Sequence, residues 1–184
     1  MTHYRFDPKH GRFTVRTFAT GMLSFLGHSP TFNVHQFQGG IEFPDDLIAK
    51  MQVELNIGSG SLAVADGVSA SDRREIEGRM WEHVLETDSF PGIEFLAAAD
   101  TCERIAEGRY KIGLQGKLSL HGVSRAHHLD VDLGFFEDGI RLRGETGLHM
   151  SEFEIHPVTA LGGTIRLKDE VVLSFDLAAK PEAS

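Results

Sequence analysis

Three histidines within eight positions, in LQGKLSLHGVSRAHHLDVDLGFF at 114–136, are the residues of this chain most able to do chemistry. Histidine is the commonest metal ligand and a proton carrier near neutral pH. A zinc site needs three or four ligands converging on one point. His127 shares the parity of Leu129 and Val131, whereas His128 shares that of Asp130 and Asp132. Adjacent residues of a strand point to opposite faces, so the two cannot serve one metal without a bulge. His121 belongs to the turn beside Gly122, and no HxH or HxxxH pair occurs here. The expectation is turn and surface histidines.

Other chemistry-bearing residues are equally sparse. His28-Ser29 resembles a base beside a nucleophile, but no G-x-S-x-G elbow surrounds it. The simpler reading is a turn at His28-Ser29-Pro30, with His28 hydrogen-bonding backbone. Cys102 is the one cysteine, so no internal disulfide forms, and the thiol reads as an inert strand residue. Asp45-Asp46 and Asp169-Glu170 fall beside turns or strand starts, as solvated charges. No phosphate loop, dinucleotide fingerprint or HExxH is present. The expectation is a protein that is not an enzyme and holds neither metal nor cofactor.

The elements that would position these residues are mostly strands. Period-two alternation places Phe13 with Val15, Phe32 with Val34, and Met51, Val53, Leu55 and Ile57 on common faces. The same alternation runs through 93–99, 110–120, 129–135, 140–150 and 171–177. Asp138-Gly139 and Glu107-Gly108 read as hairpin turns, since glycine accepts positive φ. The parity switch between Val34 and Phe37 marks a bulge or bend. Residues 69–90 form the one convincing helix, with Ser69 or Ser71 as N-cap and Ile76, Met80 and Val84 as its apolar stripe, widened by Trp81 and Leu85. TGMLSFLGH at 20–28 is a second, shorter candidate. The pattern predicts an all-β fold with one amphipathic helix, a single antiparallel barrel over 1–180 with a frayed tail at 181–184.

Charge and composition exclude several classes. A net charge of −9 over 184 residues argues against nucleic acid or an acidic membrane as partner. No apolar run approaches the roughly 20 residues that span a bilayer. The N-terminus lacks the pattern of a signal peptide, which gives the cytoplasm as the expected location. Thirteen phenylalanines against two tyrosines make an interior with few polar handles. A barrel of about eight strands has room inside for one slender ligand, and such pockets are lined mostly by apolar groups.

Several stretches carry a family resemblance: GRFTVRTFATGMLSFLGHSPTF at 11–32, FQGGIEF at 37–43, MWEHVLETDSFPGIEF at 80–95, GKLSLHGVSRAHHLDVDL at 116–133 and IRLKDEVVLSFDLAA at 165–179. In this order they resemble the YceI-like family, lipocalin-like barrels associated with polyisoprenoids and other long-chain lipids. The resemblance implies an extended antiparallel barrel enclosing an elongated apolar pocket, and binding or transport of a polyisoprenoid, quinone precursor or fatty acyl compound. In that reading LHGVS is a hairpin turn and the histidines follow it. One segment departs from the family pattern: MSEFEIHPVTALGG stands where an S-D-F-G-I type of sequence is expected, with Glu154 at the glycine position.

The residues expected to line the pocket are Phe13, Val15, Phe18, Phe32, Val34, Ile57, Ile76, Met80, Trp81, Phe95, Ile112 and Leu118. His28 and Arg16 are the candidates to meet a polar head group. Two alternatives stay open: a ligand-free barrel for protein–protein contact, for instance a homodimer pairing through an open strand edge, and a hydrolase or metal protein using His28, His121 and His127.

Overall fold

The computed structural model describes residues 1–20, 30–44, 47–65, 67–156, 159–160 and 165–182. In chain order the strands are β1 (Thr2–Phe6), β2 (Arg12–Arg16), β3 (Ala19–Thr20), β4 (Thr31–Val34), β5 (Phe37–Phe43), β6 (Gln52–Gly58) and β7 (Leu62–Val64). Helix α1 (Ala70–Arg79) follows, extended by a π-helical turn over Met80–Val84. Then come β8 (Gly92–Ala106), β9 (Arg109–Leu120), β10 (Val123–Phe136), β11 (Gly139–His149), β12 (Thr159–Ala160), β13 (Ile165–Leu167) and β14 (Glu170–Pro181).

Eight of these strands form a closed antiparallel ring in the order β1-β5-β6-β8-β9-β10-β11-β14, with β14 pairing back onto β1. The expected barrel is therefore present. Its closure is long-range: Phe6 lies opposite Ala179, and the Asp7 amide donates to Ala178 at 2.8 Å. The other half of the same β14 edge pairs with β2, and β2-β4-β7 continue from there as a second flap of the wall. The parity switch after Val34 is the bend at His35-Gln36, where the chain leaves β4 in this flap and enters β5 in the ring. Within β5, Gly39 at φ 122° and Gly40 allow the neighbouring backbones to close in, since a Cβ on either would meet a carbonyl oxygen of Glu54 or Tyr4.

The first long hairpin turns at the expected Glu107-Gly108, and the second turns one residue before the expected Asp138-Gly139, with Gly139 opening β11. Residues 107–108 and 137–138 join β8 to β9 and β10 to β11. His121 and Gly122, with φ of 52° and 75°, make the two-residue connection of β9 to β10. The helix starts as expected, its Ser69 hydroxyl accepting from the Asp72 amide at 3.2 Å. It ends earlier than expected, at Val84 instead of Phe90. Glu86 takes a positive φ of 44°, and the Thr87 amide turns back to the Trp81 carbonyl. The short helix expected over 20–28 lies outside the described residues, apart from Thr20 in β3.

Apolar contact alone does not dock this helix. Between Ala70 and Arg79 its sequence is ASDRREIEGR, almost wholly polar. Its polar side chains instead complete the free edge of β7. Ala63 pairs with Asn33 of β4, so Leu62 and Val64 present their backbone groups outwards. Glu77 accepts from the Val64 amide at 2.9 Å, Arg73 donates to the Val64 carbonyl, and the Trp81 indole donates to the Leu62 carbonyl at 3.1 Å. The helix thus takes the place of a further strand beyond β7, the last of the eleven in this sheet, and the edge is covered.

Candidate ligand cavity

Along its axis the barrel has two different halves. Near the 107–108 and 137–138 turns it is filled by rings: Tyr4 stacks on Phe43 at 5.9 Å, and Phe135 meets Tyr4, Phe43 and Tyr110 at 6.1–6.4 Å. Ile112, Leu133 and Ile140, each 1 % exposed, are packed among the inward positions of this half. Towards the His121-Gly122 turn the interior is open and encloses about 390 Å³. That volume lies within the range of about 300–1,000 Å³ typical of small-molecule sites.

The flap, the ring and the helix all contribute to the cavity wall. Phe13 and Val15 enter from β2, and Phe32 and Val34 from β4. Ile57 reaches in from β6, Phe95 from β8 and Leu118 from β9. Ile76 and Met80 cover one side from the helix, because the β7 clasp turns this face of it inwards. Nine of the expected pocket residues are therefore brought together around one space.

Of the other five, four are placed elsewhere and one falls outside the described residues. Ile112 lies in the filled half. Trp81 is held against the β7 edge by its indole N–H. Arg16 is exposed, and its guanidinium sits over the Phe18 ring at 5.4 Å, with Lys168 at 5.9 Å from the same ring. Neither Arg16 nor Phe18 lines the cavity. β2 ends at Arg16, so strand parity no longer governs Phe18. His28 lies outside the described residues.

Polar groups on the wall are few. Thr17 is buried and donates its hydroxyl to the Pro30 carbonyl at 3.0 Å. Arg79 reaches the cavity from the helix but is exposed and paired with Glu75 at 2.8 Å. His127 of β10 and Thr146 of β11 face inwards and meet at 3.2 Å, imidazole Nε2 to hydroxyl. The β10–β11 ladder runs from Phe136 and Gly139 only as far as Val131 and Gly144. Beyond that point, where the two strands are no longer paired, the His127–Thr146 contact links them.

His127 is a residue that the reading of turn and surface histidines misplaced, although its parity with Leu129 and Val131 carried the signal. Burial lowers its pKa below the ordinary imidazole value, His128 adds to this, and Glu152 opposes it. Burial therefore favours the neutral form of the ring. Of the other two histidines, one lies on the surface and the other at the turn with its side chain largely buried. His128 faces outwards beside Asp130 at 3.2 Å. His121 donates from Nδ1 to the Phe153 carbonyl at 3.3 Å and packs on Phe90 at 4.3 Å, tying the β9–β10 turn to its surroundings.

The segment that departs from the family pattern has a definite shape. Residues Met150–Phe153 form a 3-10 turn whose Phe153 is 1 % exposed, and Glu154 closes it in the left-handed region at φ 59°. This is the conformation that glycine adopts most easily. Glu154 therefore holds a backbone shape that a glycine would take at lower cost.

Such a molecule is a closed antiparallel β-barrel with a hollow, apolar interior, and none of its described helices is long and apolar enough to cross a membrane. The model of the YceI-like domain matches residues 4–179, and the chain belongs to that family. Solved structures agree in fold. BcnA of Burkholderia cenocepacia superposes with a TM-score of 0.69 at 13 % identity, over 94 % of this chain and 98 % of its own. A polyisoprenoid binding domain from Saccharophagus degradans, implicated in plant cell wall breakdown, gives 0.70 at 13 %, over 97 % and 98 %. The YCEI protein of Campylobacter jejuni gives 0.58 at 16 %, over 83 % and 85 %. Among curated proteins, none matches this sequence.

Proposed function

We propose that this chain binds a long-chain apolar molecule, a polyisoprenoid, quinone precursor or fatty acyl compound, inside the barrel and holds it for storage or transport. The observation that carries the reading is the hollow half of the barrel, about 390 Å³ with an apolar wall. Family membership and the polyisoprenoid-binding domain among the similar folds support it. Residues 1–180 act as one unit in this proposal.

The energetics suit a carrier. Burying ten methylene groups gains on the order of 8 kcal/mol. Lost translational and rotational freedom offsets at least about 4 kcal/mol of this. The remainder is enough to hold a chain and still release it. Met80 on the wall adapts its shape to different chains through its flexible thioether.

The test is a fluorescence titration with phenylnaphthylamine, displaced by geranylgeraniol or palmitate, on the parent chain and on Val53→Phe. Val53 is buried and lines the cavity, so the larger ring fills open space. Saturable uptake that weakens at least about tenfold in the variant, with the melting temperature little changed, supports the proposal. A parent that takes up no probe refutes it.

A further inference from the structure

A hollow of this kind raises the question of what the bound molecule carries besides its chain, and the wall offers one internal polar contact with capacity to spare. Thr17 already donates to Pro30, and Arg79 is exposed and paired with Glu75. His127 and Thr146 remain. Their contact at 3.2 Å uses imidazole Nε2 and leaves Nδ1 without a hydrogen-bond partner among the described residues. Across the ladder from His127 lies Gly116, and across from Gly116 lies Ala97, so the two positions directly opposite His127 carry no bulky side chain. Phe95 meets the imidazole edge-on at 6.2 Å and sets its plane.

The geometry points to a ligand subsite at His127 and Thr146 that receives an uncharged oxygen of the bound molecule, a hydroxyl or a carbonyl, inside the barrel. This rests on the reading of the cavity as a lipid site and adds the chemistry of the ligand's polar end. A neutral imidazole offers one donor and one acceptor, and the Thr146 hydroxyl, whose proton also has the Gly147 carbonyl within reach at 3.4 Å, keeps an acceptor lone pair. A ligand hydroxyl satisfies either tautomer of His127, and a carbonyl satisfies the one that carries its proton on Nδ1. A carboxylate or phosphate in the same place would need a buried cation. The only cationic side chain of the described wall is Arg79, exposed and already paired. Desolvation works in the same direction, since it keeps His127 uncharged.

The experiment compares three probes of one chain: geranylgeraniol, the corresponding hydrocarbon without the hydroxyl, and geranylgeranyl phosphate. Each displaces phenylnaphthylamine from the parent, His127→Leu, His127→Gln and Thr146→Val. The quantity read is the affinity for the alcohol relative to the hydrocarbon, which cancels effects on chain binding. It is expected to fall about tenfold in His127→Leu, less in Thr146→Val, and least in His127→Gln, which keeps a hydrogen-bonding group. Melting curves establish that each variant is folded. An alcohol-to-hydrocarbon ratio that is the same in parent and His127→Leu overturns the subsite while leaving the lipid reading intact. Tighter binding of the phosphate that depends on His127 also overturns it. Failure of all three probes to bind the parent overturns both.

Discussion

Replacing Glu77 by alanine should release the helix from the barrel wall, and the structure sets the size of the effect. The Glu77 side chain is 13 % exposed and accepts from the amide of Val64, itself 3 % exposed. A hydrogen bond to a charged group contributes about 1.5–3 kcal/mol, and a buried amide left without a partner costs about 1–3 kcal/mol, two descriptions of one loss. The Arg73–Glu77 pair at 3.5 Å adds little, because Arg73 is 38 % exposed. Alanine returns a few tenths of a kcal/mol through helix propensity. The net expectation is a loss of about 2 kcal/mol, or roughly 4–8 °C in melting temperature for a chain of this size. Trp81 is the only tryptophan and sits in the same clasp, so its fluorescence reports helix docking directly. Urea unfolding followed by that signal and by circular dichroism should show the tryptophan transition moving first in Glu77→Ala. Glu77→Gln, which keeps an acceptor, should lose less than half as much. Glu75→Ala, whose partner Arg79 is 45 % exposed, is the control and should stay within about 0.5 kcal/mol of the parent. If Glu77→Ala behaves like Glu75→Ala on both signals, the clasp does not hold the helix.

Stability should also fall with acid through His127. Its folded pKa is lowered from the ordinary 6.5, so between the two values the unfolded chain binds the proton more readily. Stability is full above about pH 6.5 and declines as pH drops through the folded value. Of the charged groups acting on the ring, Glu152 softens the effect and His128 sharpens it, while Phe95 and Thr146 carry no charge. Urea midpoints from about pH 7.5 to pH 5 should show this decline flattened in His127→Leu, and an unchanged slope would contradict it. Glu154→Gly should stabilise the chain by about 0.5–1 kcal/mol, since the left-handed conformation costs an L-residue about 1–2 kcal/mol and glycine's extra chain entropy returns part of that. A thermal melt that drops would show that the Glu154 side chain contributes more than its strain costs.

Much of this fold was legible because strand parity is a local property. Phe13 with Val15, and Phe32 with Val34, share a face in the sequence and share the cavity in the structure. Turn chemistry at 107–108, 121–122 and 137–138 fixed which strands are neighbours. Parity has no information on depth along the barrel axis, however. Ile112 and Leu114 point the same way, yet Leu114 lines the cavity and Ile112 lies beyond it in the filled half. Nor does periodicity reveal that an indole N–H or a carboxylate will meet an unpaired strand edge, which is why Trp81 was expected inside the pocket. The closure of β14 on β1 joins residues more than 170 positions apart, and no local pattern encodes it. His127 shows the reverse case: its parity gave its direction, but a histidine on an apolar face only becomes informative once the emptiness beside it is seen.

The most direct test of the central claim is native mass spectrometry of the freshly purified chain, followed by organic extraction of whatever it carries. The account predicts a species heavier than the bare chain by one long-chain molecule, whose extract bears a hydroxyl or carbonyl and no anionic group. A chain that flies bare, and stays bare after incubation with geranylgeraniol and palmitate, would contradict it.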